Sequence, residues 1–340
     1  MNTLTDALRT LGDGRDLTRE QSRAAVGALM DGSASEAATA AFLTALRLKG
    51  ETADELAGAV QAVRERMVEL EGPTPSALDT CGTGGDGADS VNISTAAALV
   101  AASCGVPVAK HGNRSASGNS GSAEVLAELG VAVEAAPDVV RRCLVDLGIT
   151  FLFAPRFHPA LRALAPIRRQ LPFRTLFNVV GPLANPARPA YQLVGVPGER
   201  QAALMARVLA DLGVRRAAVV TGSDGLDEVT LAGPTRVRWV GDGSDAIEEW
   251  QPEDFGLPRV AAGELRVSGP AESAGRLRRV FAGEADPARH VILANAAAAL
   301  RVAGRVGSLP EGVAVATHAL DSGEAVALLD RWARLSRPGA

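Results

Sequence analysis

The organisation of this chain turns on a change of pattern near Ser76. Before it, no strand signal occurs. After it, short apolar segments alternate with helical stretches. Ala77–Cys81, Val106–Ala109, Val131–Val133, Ile149–Phe153, Gln192–Val196, Ala217–Thr221, Val229–Leu231 and Arg236–Val240 read as strands, with Ala123–Leu129 and Pro137–Leu147 among the helices between them. Alternation of this kind favours an α/β layer with a largely parallel sheet. Ligands in such sheets sit beyond the carboxyl ends of the strands, so the loops there are where chemistry is expected.

The first 70 residues read as helices. Thr18 is followed by Gln21, Ser33 by Glu36 and Thr52 by Glu55, and each pair fits a capping box that satisfies free backbone N–H groups. Leu4, Ala7, Leu8 and Leu11, then Phe42, Leu43 and Leu46, then Leu56, Val60, Val63 and Met67 recur at helical spacing. The unit ends at the breaker cluster Gly72-Pro73-Thr74-Pro75. Pro166–Pro189 interrupts the later alternation as one or two short helices ending at Gly181-Pro182. Grouped with the N-terminal helices, it gives a discontinuous helical domain, residues 1–71 with 165–188. Residues 72–164 with 189–340 then form the second domain. Further helices are expected at Pro287–Val302 and Ser322–Leu335. The fold class expected is α/β: a small helical domain plus a larger α/β domain with a mostly parallel central sheet flanked by helices.

Composition removes several classes of function. A length of 340 residues allows roughly two domains at about 150 residues each. The net charge of −4 argues against nucleic-acid binding by bulk charge. Eight Phe, three Trp and one Tyr are too few for single-strand stacking platforms. The three cysteines, Cys81, Cys104 and Cys143, form no Cys-x-x-Cys pair, and the start MNTLTDALRTLGDGRD lacks a basic and apolar leader. A cytoplasmic address is therefore expected. The apolar run around Ala96–Ala102 is too short to span a bilayer, so no membrane partner is expected.

Three loops remain as candidates for ligand binding. Cys81-Gly82-Thr83-Gly84-Gly85-Asp86-Gly87 follows the first strand and leads to Asn92-Ile93-Ser94-Thr95, which opens an alanine-rich helix. Glycines admit close approach of the backbone, and a helix N-terminus offers free N–H groups and partial positive charge. Ser90, Asn92, Ser94 and Thr95 add hydroxyl and amide groups. The combination suits a phosphate or diphosphate, although a tight turn with a helix cap reads equally well from this loop alone. The second loop, Lys110-His111-Gly112-Asn113-Arg114 running on to Ser122, carries one of only two lysines in the chain. A Lys and an Arg beside a helix N-terminus neutralise phosphate charge; a flexible Ser/Gly linker is the plainer alternative.

The third loop is Asp224-Gly225-Leu226-Asp227-Glu228. Mg2+ commonly takes one or two protein carboxylates and fills its other positions with water and substrate phosphates. Taken alone, the pair reads as a solvated acidic turn. His158-Pro159-Ala160 and Arg168-Arg169 follow the strand Ile149–Phe153, and an Arg there gives bidentate recognition of a substrate carboxylate. The cysteines show no partner that activates a thiolate.

In this order CGTGGDG, NIST, KHGNR, HPA, RTLFNVVGPLANP, GSDGLDE and ILANAAAAL resemble the anthranilate phosphoribosyltransferase family, from the N-terminal helices to near the C-terminus. The resemblance implies an active site in the cleft between the two domains and a homodimer formed through the helical domains. It implies that Gly82, Gly85, Asp86, Ser90, Asn92, Ile93, Ser94 and Thr95 contact phosphoribosyl pyrophosphate. Lys110, His111, Gly112, Asn113, Arg114, Ser115, Ala116, Ser117, Gly118 and Ser122 complete that site. Gly82, Asn113, His158, Pro159 and Arg168 meet anthranilate. Ser94, Asp227 and Glu228 hold Mg2+, about two ions per active site. Gly118 and Asn119 stand where the family often carries a hydroxyl and a basic residue, which implies weaker donor affinity.

The reaction so implied is attack of the anthranilate amine on C1 of the ribosyl ring, giving N-(5-phosphoribosyl)anthranilate and diphosphate, the second step of tryptophan biosynthesis. No essential nucleophile is expected; Lys110 and Arg114 supply charge stabilisation. Two alternatives stay open: a pyrimidine nucleoside phosphorylase of the same architecture, and a non-catalytic relative that binds nucleic acid.

Overall fold

The computed structural model describes residues 3–72, 76–115, 119–243 and 245–337. Ala116, Ser117 and Gly118, expected at the donor site, and the breaker residues Pro73, Thr74 and Pro75 lie outside the described residues.

The chain opens with four helices, α1 (Thr3–Gly12), α2 (Arg19–Met30), α3 (Glu36–Lys49) and α4 (Ala53–Arg64). The capping boxes of Thr18 with Gln21 and Thr52 with Glu55 both form. The third does not involve Ser33. Ser35 caps α3 by accepting from the Ala38 N–H at 3.2 Å, while the Ser33 hydroxyl donates back to Ala28 O. Two hydroxyls two residues apart compete for one helix start, and the one adjacent to it wins. Glu55 is fully buried, accepts from the Leu17 and Thr52 N–H groups and pairs with Lys49 at 2.9 Å, which accounts for one of the two lysines. Leu29, Phe42, Leu43, Leu46, Leu56 and Val60 form a core that also takes in Leu164, Leu176, Phe177 and Leu183. The later inserted stretch, α9 (Ala165–Gln170) and α10 (Phe177–Val180), thus packs with the N-terminal helices.

The rest alternates. The strands are β1 (Leu78–Gly82), β2 (Val108–Gly112), β3 (Ile149–Phe153), β4 (Tyr191–Gly195), β5 (Arg216–Gly222), β6 (Thr235–Gly241) and β7 (Ile247–Trp250). The helices are α5 (Ile93–Ser103), α6 (Ser122–Glu128), α7 (Pro137–Leu147), α8 (Ala154–Phe157), α11 (Glu199–Asp211), α12 (Pro270–Phe281), α13 (Pro287–Val302), α14 (Leu309–Asp321) and α15 (Glu324–Leu335). The sheet order is β3-β2-β1-β4-β5-β6-β7. The first five are parallel and β6 and β7 are antiparallel, so the expected mostly parallel sheet is present. One face is covered by α5 and α13, whose alanines allow close helix packing, together with α14 and α15. The other face packs on α11 and merges with the core of the N-terminal helices.

Two expected strands are absent. Val131–Val133 lies in the turn after α6, where Val131 N–H closes on Leu126 O and Ala132 N–H on the Ser336 hydroxyl. Val229–Leu231 is held by a side chain instead of a strand. The Asn295 amide, 0% exposed on α13, accepts from the Val229 N–H at 3.0 Å and donates to Val229 O at 2.8 Å. It supplies the donor and acceptor that a neighbouring strand would have supplied, and so satisfies a buried backbone without a ladder. β7 was not named from the sequence because its Ile-Glu-Glu-Trp stretch carries too little apolar alternation.

Asn295→Leu leaves both backbone groups of Val229 buried and unpaired. It should lower unfolding stability by about 2–4 kcal/mol. Urea unfolding measures this, and a loss under about 1 kcal/mol would show that other contacts hold the segment.

Candidate active site

The strand order reverses between β1 and β4, and Gly82 and Gly195 are Cα partners at that point. A crevice at such a reversal is where open α/β sheets bind ligands. The glycine turn starts here, with the Thr83 N–H donating to Gly195 O at 2.9 Å. A Cβ at Gly82 would strike the Asp227 carboxylate, so glycine is what lets that carboxylate lie against the turn. Gly85 has φ +85°, in the left-handed region that favours glycine, and a Cβ there would run into the Arg174 guanidinium.

Asp227 and Glu228 face the turn from the loop after β5. Asp227 Oδ2 accepts from the Gly84 N–H at 2.6 Å. Glu228 Oε1 accepts from the Ser94 N–H at 3.0 Å, in the first turn of α5. Burial, then the charges of Glu228 and Asp86, hold the Asp227 carboxyl well above the usual carboxylate range. Burial pushes Glu228 up to about 7 against the opposing pull of the Lys110 ammonium. Asp224 does not join them. It accepts from the Leu226 N–H at 3.2 Å and from the Thr230 hydroxyl at 2.8 Å, and so shapes the loop.

Lys110 is 3% exposed. Its Nζ donates to Thr80 O and, at 3.3 Å, to Ser94 Oγ. The second lysine therefore lies beneath the turn, among β1, α5 and Glu228. Among the described residues no three His, Cys, Asp or Glu side chains form a metal cage. Two carboxylates kept at raised pKa are nonetheless the donor set that a partly hydrated Mg2+ uses.

Above this layer the two loops are tied together. Asn92 Oδ1 accepts from the Ser120 hydroxyl at 2.7 Å and from the Ser273 hydroxyl at 2.8 Å. Ser273, fully buried on α12, was not named from the sequence. Ser115 and Gly121 both donate their N–H to Glu124 Oε2, which folds the second loop back on α6. Ser122 Oγ donates to Asn113 O at 3.3 Å. Thr95 Oγ1 is buried with no hydrogen-bond partner. Ser90 bridges to Arg266, and Ile93 is core. Asp86 accepts from the Ala88 N–H at 3.1 Å. Arg114 is apart from this layer: it pairs with Glu134 at 2.8 Å at the surface and lies over the Phe153 ring.

A second cluster lies beside β2 and the inserted segment. His111 Nδ1 is 3.0 Å from Gly181 O, and its ring meets His158 edge to face at 5.1 Å. The Arg168 guanidinium lies 5.5 Å over the Phe177 ring. Pro159 is exposed. Asp79, buried on β1, accepts from the His111 N–H at 3.2 Å and from Asn185 Nδ2 at 2.8 Å, and Asn185 also donates to Ala109 O. Burial raises the Asp79 carboxyl to about 6, with Lys110 opposing. Arg174 was also missed: it donates to Thr83 O at 2.6 Å. Its position in the RTLFN stretch gives no local sign that it reaches the glycine turn.

The three cysteines are free, and burial raises the Cys81 thiol well above its ordinary value, so it is no nucleophile. No helix among the described residues is long and apolar enough to cross a membrane.

Known proteins resemble this chain in sequence and in fold. The glycosyl transferase family α/β domain matches residues 74–326, and the helical bundle domain of that family matches residues 5–67. The anthranilate phosphoribosyltransferase of Rhodopseudomonas palustris is 48% identical over 323 residues, 95% of each chain. The crystal structure of that enzyme from Thermus thermophilus superposes with a TM-score of 0.92 at 43% identity, covering 99% of this chain and 100% of the other. The Saccharomyces cerevisiae enzyme in complex with phosphoribosyl pyrophosphate and Mg superposes at 0.91 with 29% identity, covering 98% of both chains. With this match along nearly its whole length, the chain belongs to the anthranilate phosphoribosyltransferase family.

Proposed function

We propose that this chain transfers the phosphoribosyl group of 5-phospho-α-D-ribose 1-diphosphate to the amine of anthranilate. The observation that carries the reading is the Asp227–Glu228 pair pressed against a glycine turn and the N-terminus of α5 at the strand reversal. The yeast relative bound to the same donor and Mg supports it. The alternatives, a nucleoside phosphorylase or a nucleic-acid binder, gain no support from the relatives' names or from the acidic net charge.

The donor set fits Mg2+. Buried carboxylates with raised pKa values lack a full counter-charge, and a hard divalent cation relieves that cost. Asp227 and Glu228 are the residues to hold it, with Ser94 beside them and about two ions as the working number. When bound, Mg2+ screens the charge that builds on the departing diphosphate. The chain's own residues do the rest. The glycine turn and the N-terminus of α5 present N–H groups to the diphosphate. Lys110 supports the carboxylates from below. The aromatic amine is uncharged at neutral pH, so its lone pair needs no strong base, and holding the two substrates together provides much of the rate gain. Arg168 is proposed to pair with the anthranilate carboxylate, with His158, Pro159 and Asn113 around the ring. Arg114 would have to leave Glu134 to reach the donor.

Residues 1–71 with 165–188 are proposed as the helical domain and the remainder as the α/β domain, with the substrates between them. A homodimer through the helical domains is part of the same proposal. A cytoplasmic address fits three free cysteines.

A fluorescence assay tests the reading. Loss of anthranilate emission should require both the sugar diphosphate and Mg2+. Arg168→Ala should raise the KM for anthranilate on the order of 10–100-fold, the worth of one charged hydrogen bond. Asp227→Ala with Glu228→Ala should lower kcat/KM on the order of 100-fold or more. Emission that falls without the donor, or that the carboxylate variant leaves untouched, would exclude this chemistry.

The acceptor side also makes a pH prediction. Burial, then the neighbouring His158, keeps His111 at about 3, and burial keeps His158 at about 4. Unfolded histidines take up protons near 6.5, so below that the unfolded state binds more protons. The stability due to these neutral rings is complete above about pH 6.5 and is lost as pH falls toward about 4. Between pH 7.5 and 5.5, wild-type protein should lose roughly 1 kcal/mol more unfolding free energy than His158→Asn. Parallel curves for the two proteins would contradict it.

A further inference from the structure

Arg174 plays no part in the reaction described above, yet it touches the donor turn. It comes from the stretch between α9 and α10, which packs with the N-terminal helices, and reaches across to the loop after β1. Its Nη2 donates to Thr83 O at 2.6 Å. Its guanidinium covers the space where Gly85 would otherwise carry a Cβ. Asp227 and Asp86 act on it as favourable charges, and Arg47 on α3 as an unfavourable one. Its backbone is fixed by the next residue: Thr175, 4% exposed, donates its N–H to Asn178 Oδ1 at 2.9 Å at the start of α10. Burial of a guanidinium is costly, so its placement on one carbonyl beside two carboxylates calls for a role.

The turn otherwise has few restraints. Thr83 N–H is held by Gly195 O of the sheet, and Gly84 N–H by Asp227. From Gly84 to Gly87 the backbone carries three glycines at positive φ, each free to adopt many shapes. Arg174 is the contact that reaches the turn from the helical side.

We propose that Arg174 is a positioning residue: by holding Thr83 O and covering Gly85 beside Asp86 and Asp227, it fixes the glycine turn in the shape that receives the diphosphate. The role rests on the donor-site reading above. It needs the fork of a guanidinium, because one nitrogen, Nη2, is committed to the Thr83 carbonyl while the other, Nη1, lies against Gly85.

The test uses the full-length protein, Arg174→Ala and Arg174→Lys. Amide hydrogen exchange of residues 83–88 is read without substrates. Exchange there should quicken about tenfold or more in Arg174→Ala, the size expected on losing a charged hydrogen bond, while the core strands stay protected. The KM for the sugar diphosphate should rise about tenfold, with kcat at saturating donor changed much less. Arg174→Lys keeps the charge without the fork and should recover only part of the donor KM. Unchanged exchange in Arg174→Ala, or a rise in anthranilate KM in place of donor KM, would overturn the proposal. Full recovery by lysine would also overturn it, because charge alone would then suffice. If Arg174→Ala fails to fold, Arg174→Met, which keeps the length of the side chain but has no N–H donor, is read the same way. If wild-type protein lacked transferase activity while Arg174→Ala still quickened exchange, the functional reading would fall and with it the role toward the diphosphate, leaving only the hold of Arg174 on Thr83 O.

Discussion

Two carboxylates held out of water set the terms for the rest of this molecule. Burial raises the proton affinity of both Asp227 and Glu228, and the charge of Glu228 raises that of Asp227 further. An isolated buried charge of this kind is strongly unfavourable. What offsets it is a shell assembled from distant parts of the chain: the Gly84 and Ser94 N–H groups donate to the carboxylates, and Lys110 and Arg174 act on Glu228 and Asp227 by their charge. The shell is incomplete without further positive charge. That incompleteness is the physical reason the site suits a divalent cation and a ligand that brings its own oxygens.

The fold is arranged to hold that shell rigid. The strand reversal brings the ends of β1 and β4 together, and glycine at both ends leaves room for Asp227. Asn295 stands in for a strand and fixes the backbone just after Glu228. Asp79, Asn185 and the His111 backbone lock the inserted segment to β1 and β2, so the residues proposed for the acceptor keep their register with Lys110. Each of these cross-links is buried and polar. Such links add positional definition where an apolar contact would allow sliding, because a hydrogen bond fixes distance and direction together.

Much of this was legible in the residues. The parallel strands, the glycine turn, the Asn92-Ile93-Ser94-Thr95 helix start and the acidic pair are local patterns whose chemistry is written at the site itself. Val229–Leu231 misled because an apolar triplet carries no record of whether its backbone meets a strand or an amide from a helix far along the chain. Ser33 misled because Ser35 offered the same hydroxyl closer to the helix. Arg174 and Ser273 went unnamed for a related reason. Neither sits in a motif of its own, and both act through a single long-range contact. The placement of Lys110 was legible only as a strand-end lysine; that it points beneath the turn follows from Thr80 O and Ser94 Oγ, which each accept one of its three hydrogens.

The molecule keeps two electrostatic regimes side by side. Around the glycine turn, charge is concentrated and only partly neutralised. Around His111 and His158, burial keeps both rings uncharged, with Arg168 stacked on Phe177 as the cation at that margin. An acceptor that is flat, mostly apolar and singly anionic suits the second environment, since its ring meets neutral aromatic edges while its carboxylate seeks a lone guanidinium. A polyanion suits the first. Confusing the two would be costly in either direction, because a diphosphate gains nothing from neutral histidines and an aromatic ring gains nothing from carboxylates awaiting a metal. On the proposed assignment of the two sites, selectivity between donor and acceptor follows from where the chain has placed its buried charge.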